Sequence, residues 1–549
     1  MKSACYLLFG TLLYYLTIVE AGRLPQVDLG YEIHEATTYN ATTQLYAFNN
    51  IRYAQPPIGD LRFSAPVPPT GRNTTVQKST GDRICPPAQE DWGCAGYLFG
   101  RDFEYGNTSE YNYTYATEEC KPVNDLGAEI LLNHTGISED CLFLDVVVPR
   151  AVFDQRNSSG SGAPVFVWIH GGGYVFGYKN DPNDSGDPSA LIKASQSDYS
   201  DGMIFVAINY RLGAFGWLAG PSLDAANGTA NAGLHDQRLA LEWVQENIHR
   251  FGGDPKQVTI GGLSAGGGST VHQITAYGGQ KPVPFARAFS NSAGYFPIDS
   301  HYVTENTTQT FLARLNVSTI DEARKLPSSD LITANMDHVR SATFGFVYGP
   351  VVDGSFVPAL PGNSLLAGHF DHNLDVLVSH VTHEGGEYNA PWVQNDADFR
   401  TLLKLLQPGM LDPVIEYITK MFPGVGPLRT IPFLGDYVFT CNTNWLARAF
   451  GNKTYNWEFA ITPAYHAYDL GYIFPGSYSA PVIEPLAKIM RGYIANFVKT
   501  GNPNGKGLPS FPQQGNNASH NVFTKDGVVT ERDSTVGRRC EWMQEGLWV

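Results

Sequence analysis

Residues 258–276 read VTIGGLSAGGGSTVHQITA. An apolar, β-branched run enters Gly262-Leu263-Ser264-Ala265-Gly266, a GxSxG pattern, and a stretch of helical character follows. A serine lifted on a tight strand-to-helix turn needs small neighbours, because side chains at the flanking glycines would collide with the adjoining strand or helix. The helix that starts there points its N-terminus at an oxygen reacting with the serine. GxSxG alone is a weak signal, since small-residue turns are common. The strand before it and the helix after it make it a strong one, and Ser264 is the candidate nucleophile.

Outward from this turn the rhythm is that of an α/β protein. PVFVWIH (164–170) and MIFVAINY (203–210) are continuous apolar runs, as buried parallel strands are, and DVLVSH from Asp375 and YNWEFAI from Tyr455 repeat the signal. HDQRLALEWVQENIHRFG (235–252) carries Leu239, Leu241, Val244 and Ile248 at helical spacing and stops on Gly252. Near the N-terminus YEIHEATTY (31–39) and TQLYAFNNIRYA (43–54) alternate apolar and polar residues, which predicts an antiparallel edge, and PPIGDLRF breaks the pattern. Residues 295–336 and 396–449 are mainly helical and turn-like and interrupt the strands, as cap insertions over a sheet would. With no internal repeat and no long linker, the expected organisation is a signal peptide over 1–21 and one catalytic domain over 22–549. Its sheet is expected to be mostly parallel and flanked by helices.

VFVWIHGGGYVFG (165–177) ends a strand at His170 and continues into Gly171, Gly172 and Gly173. Consecutive glycines free the backbone to turn amide N–H groups toward a ligand. The N–H groups of Gly172, Gly173 and Ala265 are the candidate oxyanion hole, in which one donor is worth about 2.7–4 kcal/mol to a transition state. A phosphate-binding loop is the competing reading, but this segment has neither GxxxxGK[ST] nor a GxGxxG opening a βαβ unit. A calcium loop in DPNDSGDPSALI (181–192) fails because Ile192 stands where the twelfth-position glutamate belongs. No lysine follows Ser264 in an SxxK pattern, which argues against a β-lactamase mechanism. The expected chemistry uses no metal and no organic cofactor.

Composition limits the partners and the compartment. The 549 residues are 43% hydrophobic and 16% charged, enough apolar matter for a large core. The 37 Lys and Arg against 53 Asp and Glu leave a net charge of −16 with no basic block, so nucleic acid is not an expected partner. MKSACYLLFGTLLYYLTIVEAG has a basic Lys2, an apolar run and small residues before a cut ahead of Gly22, the pattern of a secretory signal. A membrane anchor would need roughly 20 apolar residues, and the run stops at Glu20. Glycosylation sequons begin at Asn40, Asn73, Asn107, Asn112, Asn133, Asn157, Asn183, Asn227, Asn306, Asn316, Asn452 and Asn517. A secreted extracellular glycoprotein without an integral membrane span is expected. Of seven cysteines Cys5 lies in the signal, and the other six allow fifteen pairings that spacing alone does not separate.

The chain resembles the type-B carboxylesterase/lipase family, cholinesterase-like α/β-hydrolases, and most of all its secreted fungal members. YAQPPIGDLRF, SEDCLFLDV, HGGGYVFG, NYRLGAFGWL, NAGLHDQRLALEWVQENIHRFGGDP, GGLSAG, GPVVDGSFVP and TGNPN occur in the family's order over nearly all of the mature chain. The resemblance implies the α/β-hydrolase fold and a Ser-Glu-His triad. VLVSHVTHEGGEY then supplies Glu384 as the acid, with Glu387 as its rival, and AYHAYDLGYIFPG supplies His466 as the base. His170, His380 and His383 are expected to be structural. The order Ser264, Glu384, His466 is that of α/β-hydrolases.

The resemblance also implies a disulfide between Cys441 and Cys540. It further implies Cys141 with Cys85 and Cys94 with Cys120, an exchange of Cys85 and Cys94 staying open. In relatives the Cys85–Cys141 loop borders the active-site mouth; here it is long and carries sequons at Asn107, Asn112 and Asn133, which suggests a glycosylated, disulfide-ribbed flap. No tryptophan stands between Trp92 and Cys141, so choline specificity is not expected. The function implied is a carboxylic ester hydrolase acting on a small-molecule or lipid ester. An interfacially activated lipase, an esterase of a fungal secondary metabolite and a non-catalytic binding protein are the alternatives.

Overall fold

The computed structural model describes residues 24–546 apart from 79–80, 105, 107–111, 159, 198–199 and 478–480. The expected signal peptide and Asn107 lie outside the described residues. In chain order the strands are β1 (Gln26–Asp28), β2 (Ile33–Glu35), β3 (Thr38–Asn40), β4 (Leu45–Arg52), β5 (Val76–Gln77), β6 (Phe143–Pro149) and β7 (Ala163–Ile169). They continue with β8 (Ile204–Ile208), β9 (Gly253–Leu263), β10 (Arg287–Asn291), β11 (Asp375–Val381), β12 (Tyr455–Phe459), β13 (Ser519–Thr524) and β14 (Gly527–Arg532).

Eleven strands form one sheet in the order β14-β13-β12-β11-β10-β9-β7-β8-β6-β4-β3, and β1, β2 and β5 form a small second sheet. From β8 to β13 every neighbouring pair is parallel. The antiparallel pairs lie at the two edges, β3-β4-β6-β8 at one and β13-β14 at the other. This is the mostly parallel α/β sheet that the apolar runs predict.

The alternation of side chains across the pleat divides the core. Val165, Val167 and Ile169 of β7 join Ile204, Val206 and Ile208 of β8 in one cluster, while Phe166, Trp168, Phe205 and Ala207 of the same strands join the cluster on the opposite face. Both faces are therefore covered, which is why these strands read as unbroken apolar runs.

The helix expected over 235–252 begins earlier, at Ala232, and runs to Asn247. Ile248–Phe251 then tighten into a 3-10 turn closed by Gly252 at φ 92°. Between β10 and β11 the chain forms helices His301–Arg314, Ile320–Ala323, Ser328–Arg340 and Pro361–Ala367. Between β11 and β12 it forms Asp396–Leu406, Asp412–Met421, Pro427–Gly435, a π-helical turn Asp436–Thr440, and Cys441–Ala449. The segment between Cys85 and Cys141 holds two helices, Trp92–Glu104 and Tyr113–Asn133.

Disulfides join Cys85 to Cys141, Cys94 to Cys120 and Cys441 to Cys540. The side chains of Asn40, Asn73, Asn112, Asn133, Asn157, Asn183, Asn227, Asn306, Asn316 and Asn517 are all exposed. Among the described residues no helix is long and apolar enough to cross a membrane.

Candidate active site

Ser264 sits where β9 ends and the helix Ala265–Thr275 begins, at φ 60° and ψ −122°. Such a backbone conformation is costly for a residue with a Cβ and persists only where its surroundings impose it. They do so here. The Ser264 N–H donates to Asn291 O at 3.0 Å, and Ser264 O accepts from the N–H groups of Gly268 and Gly294, both at 2.8 Å. A Cβ on Gly262 would stand 2.5 Å from Ile169 O, and one on Gly266 would drive into the same oxygen. The two glycines of GxSxG are thus required because the turn presses against the end of β7.

The glycine loop follows β7. Gly172 and Gly173 have φ of 107° and 57°, and Gly172 O accepts from the N–H groups of Val175 and Phe176, both at 2.9 Å. Among the described residues no acceptor takes the N–H of Gly172, Gly173 or Ala265. The loop is held from behind by Asp184, which accepts from the Gly171 N–H at 3.1 Å and from Trp168 Nε1 at 2.8 Å. Burial raises the Asp184 carboxyl to about 7. His170 is buried and stacked on Tyr210 with ring centres 4.4 Å apart, and its Nδ1 donates to Gly171 O at 2.8 Å. Burial lowers it to about 4, so it is neutral and structural.

Glu384 lies three residues beyond β11. Its Oε1 accepts from the Val381 N–H at 3.0 Å, and its Oε2 accepts from His466 Nδ1 at 2.5 Å. Both side chains are 2% exposed or less. The Glu384 loop is tied to the His466 loop by His383, whose N–H donates to Ala464 O at 3.0 Å and whose Nδ1 donates to Pro463 O at 2.9 Å. The His466 ring is packed by Phe439 at 4.1 Å and, edge-on, by Tyr388 at 5.0 Å. Its Nε2 has no protein partner among the described residues. Glu387, the rival acid, is half-buried with Oε1 unpartnered, and burial raises it to about 8.

Asn291, at the end of β10, joins the segments that carry all three residues. Its main-chain oxygen takes the Ser264 N–H. Its Oδ1 accepts from Ser379 Oγ on the acid's strand at 2.9 Å, and its Nδ2 donates to Asp469 Oδ2, three residues past His466, at 2.9 Å. Asn291, Ser379 and Asp469 are fully buried. Burial raises Asp469 to about 6 against the Asn291 hydrogen bond. Sequence reasoning passed over Asn291, Phe439 and Tyr388, whose partners are distant in the chain. Asp469 stood within the HAYD stretch and was the one with a local signal.

A narrow, mostly apolar cavity adjoins Ser264, walled by Gly173, Ala265, Tyr295, Phe346, Val438 and Phe439 among others. None of its lining residues is ionisable as an acid or base other than tyrosine. A larger polar cleft of about 410 Å³ lies behind Glu384 and includes His380 and the exposed His383. The grouping of Asp436, Cys441 and Cys540 offers no metal site, because its two sulfurs are joined in a disulfide.

A strained serine at a strand-to-helix turn, unpartnered amides opposite it and a buried carboxylate–imidazole pair on a mostly parallel sheet define an α/β-hydrolase. The pattern of the Carboxylesterase family matches residues 34–412 and 428–540, and the chain belongs to that family. It is 39% identical to "Carboxylesterase patB" of Penicillium expansum, over 96% of this chain and 97% of that one. It is 32% identical to "Secreted lipase" of Arthroderma benhamiae, over 67% of this chain and 72% of that one. Among solved structures, Aspergillus niger EstA superposes with a TM-score of 0.78 at 26% identity, covering 96% of this chain and 98% of that one. The chain is an ester-hydrolysing enzyme.

Proposed function

We propose that this enzyme is a secreted serine carboxylesterase that works through an acyl-enzyme on Ser264, with His466 as base and Glu384 as acid. The observation that carries the reading is the buried Glu384–His466 pair at 2.5 Å, whose Nε2 has no protein partner among the described residues and whose ring packs on Phe439, a wall residue of the cavity at Ser264. Glu384 holds the proton of His466 on Nδ1, so Nε2 is the basic nitrogen. Nε2 takes the hydroxyl proton as Ser264 Oγ attacks the ester carbonyl. The N–H groups of Gly172, Gly173 and Ala265 bind the oxygen that becomes anionic, and His466 then protonates the departing alcohol. A water deprotonated by the same nitrogen attacks the acyl carbon and frees the acid and Ser264. Every step uses groups of the chain and a water.

A fluorophosphonate probe followed by peptide mapping tests this: labelling at Ser264 is expected, and folded protein that resists labelling there overturns it. Secretion is supported by the three disulfides and by the exposure of the described sequons. Sequencing of the exported protein should begin at Gly22, with residues 22–549 as one catalytic domain.

A lipase is the second reading. The helix Tyr113–Asn133 exposes Tyr115, Val123, Leu126 and Ile130, and one relative is named a secreted lipase. The esterase reading is preferred because the relatives named carboxylesterase match at higher identity over nearly the whole chain. A p-nitrophenyl ester series from acetate to palmitate, with and without an oil interface, separates the two. Activation by the interface on long chains would favour the lipase.

A further inference from the structure

Three tyrosines stand in the wall of the cavity beside Ser264, and they differ in one respect. The Tyr174 hydroxyl donates to Gly294 O at 3.0 Å, and the Tyr348 hydroxyl is hydrogen-bonded to His338 Nδ1 at 2.8 Å. The Tyr295 hydroxyl is buried and has no protein partner among the described residues. Its neighbours in the wall, Phe296, Ile298, Phe346 and Val438, are apolar. Buried hydroxyls in folded proteins are almost always paired, and one left over in the wall of the cavity at Ser264 is open to a partner from outside the chain.

Tyr295 is also fixed in place. The residue before it, Gly294, is tied to the elbow through Ser264 O. The Tyr295 N–H donates to Val438 O at 3.3 Å, and its main-chain oxygen accepts from Asn442 Nδ2 at 3.3 Å. The ring stands edge-on to His272, with centres 4.8 Å apart and planes at 77°. His272 is itself held by Nδ1 donating to Gly268 O at 2.8 Å. A backbone tied on both sides and a ring packed against a fixed His272 restrict where the hydroxyl can stand, as a specificity contact requires. Burial raises the Tyr295 pKa, so it remains a neutral hydroxyl.

We propose that Tyr295 is a specificity-determining residue whose hydroxyl bonds an oxygen of the bound ester other than the scissile carbonyl. The preferred substrates are compact uncharged esters bearing a hydroxyl, carbonyl or ether oxygen on the part that occupies this cavity. The inference rests on the reading of Ser264 as the nucleophile of an ester hydrolase. An alkyl ester fills the same space but leaves the hydroxyl unpaired, and a site with a buried polar group discriminates against a ligand that lacks the matching atom. A charged group would enter a wall with no opposite charge to meet it.

The test uses two near-isosteric pairs. On the acyl side p-nitrophenyl methoxyacetate is compared with p-nitrophenyl butyrate, and on the alcohol side 2-methoxyethyl acetate with butyl acetate. For each pair the ratio of kcat/KM, oxygenated over plain, is measured in the wild type, Tyr295→Phe and Tyr348→Phe. Comparing enzymes cancels the intrinsic reactivity of the esters, and a ratio does not depend on the fraction of folded protein. In Tyr295→Phe the ratio should fall about tenfold in at least one pair, the size of a lost hydrogen bond. In Tyr348→Phe, whose hydroxyl is already engaged, it should hold. A ratio unmoved by Tyr295→Phe in both pairs, or lowered equally by Tyr348→Phe, overturns the assignment. A wild type that hydrolyses none of the four esters overturns the ester-hydrolase reading of Ser264 instead.

Discussion

At the scale of single residues the proposed mechanism depends on which nitrogen of His466 carries the proton. The Glu384 carboxylate can only accept, which fixes the proton on Nδ1 and leaves Nε2 basic. Glu384→Gln keeps the shape but offers an amide N–H to Nδ1, which drives the proton to Nε2, where it blocks the attack. The variant should fold normally and lose about 10⁴-fold in kcat, the effect of a wrong tautomer in a serine triad. Burst kinetics with p-nitrophenyl acetate would place that loss in acylation. Asn291 works differently, through three segments at once. Asn291→Ala strands the Asp469 carboxyl and the Ser379 hydroxyl without partners in a fully buried place. The loss expected is about 1–3 kcal/mol of stability for such orphaned groups, read by denaturant unfolding. It should be accompanied by a fall in kcat, because Ser264 and His466 lose their common tether.

At the scale of elements the helix Trp92–Glu104 is coupled to the segments that carry the proposed triad. The helix Trp92–Glu104 presents Gly96 and Gly100 to the acid loop: a Cβ on Gly96 would stand 2.6 Å from Glu387 O, and one on Gly100 would strike Gly386 O. Asn389 Nδ2 donates to Gly96 O at 3.1 Å and Tyr465 Oη to Gly100 O at 2.6 Å, so the helix grips both the acid and the base loops. Alanine in a helix interior ordinarily stabilises by about 0.5–1 kcal/mol over glycine. Gly100→Ala should do the reverse and, by displacing the chain two residues from Glu384, cut kcat/KM about 10²-fold. Gly409→Ala, whose Cβ meets nothing within 4 Å, is the neutral control in the same assay.

The helices Trp92–Glu104 and Tyr113–Asn133 were not legible in the sequence; the first makes its close contacts with the distant segments around Glu387 and Tyr465. The β13-β14 hairpin also went unread: Thr524 pairs with Gly527, so its loop is Lys525-Asp526, which lacks the Asn-Gly or Asp-Gly pair of the common two-residue turns. The central strands and the turn at Ser264 were legible because they are local: apolar runs long enough to be buried on both faces, and glycines set two residues either side of a serine. The packing of Phe439 on His466 depends on a π-helical turn, which has no simple sequence signature.

At the scale of the whole molecule, burial sets an unusual dependence of stability on pH. Burial raises Asp436 and Asp469 to about 6, Glu90 and Asp184 to about 7, and Glu387 to about 8. In the unfolded chain these carboxyls ionise near 3.8 or 4.5, so over the interval between the two values the folded state binds more protons. Stability therefore falls as pH rises through that interval and levels off above the folded value. His170, His272 and His338 act in the opposite sense. Burial lowers each to about 4 from 6.5, so they add stability as pH rises toward 6.5 and nothing beyond it. Asp28 and Asp125, held below the ordinary 3.8 by Arg72 and Arg340, act only in more acidic solution. The two buried sets oppose each other up to 6.5, and above it the carboxyls act alone. The net charge of −16 adds self-repulsion of the same sign. The thermal midpoint should decline from about pH 4.5 to 8, because the five carboxyls outweigh the three histidines below 6.5 and act alone above it. Glu387→Gln removes the group that titrates last and should flatten the upper part of that decline. A midpoint that rises between pH 6.5 and 8 would show that these carboxyls ionise inside the fold without penalty.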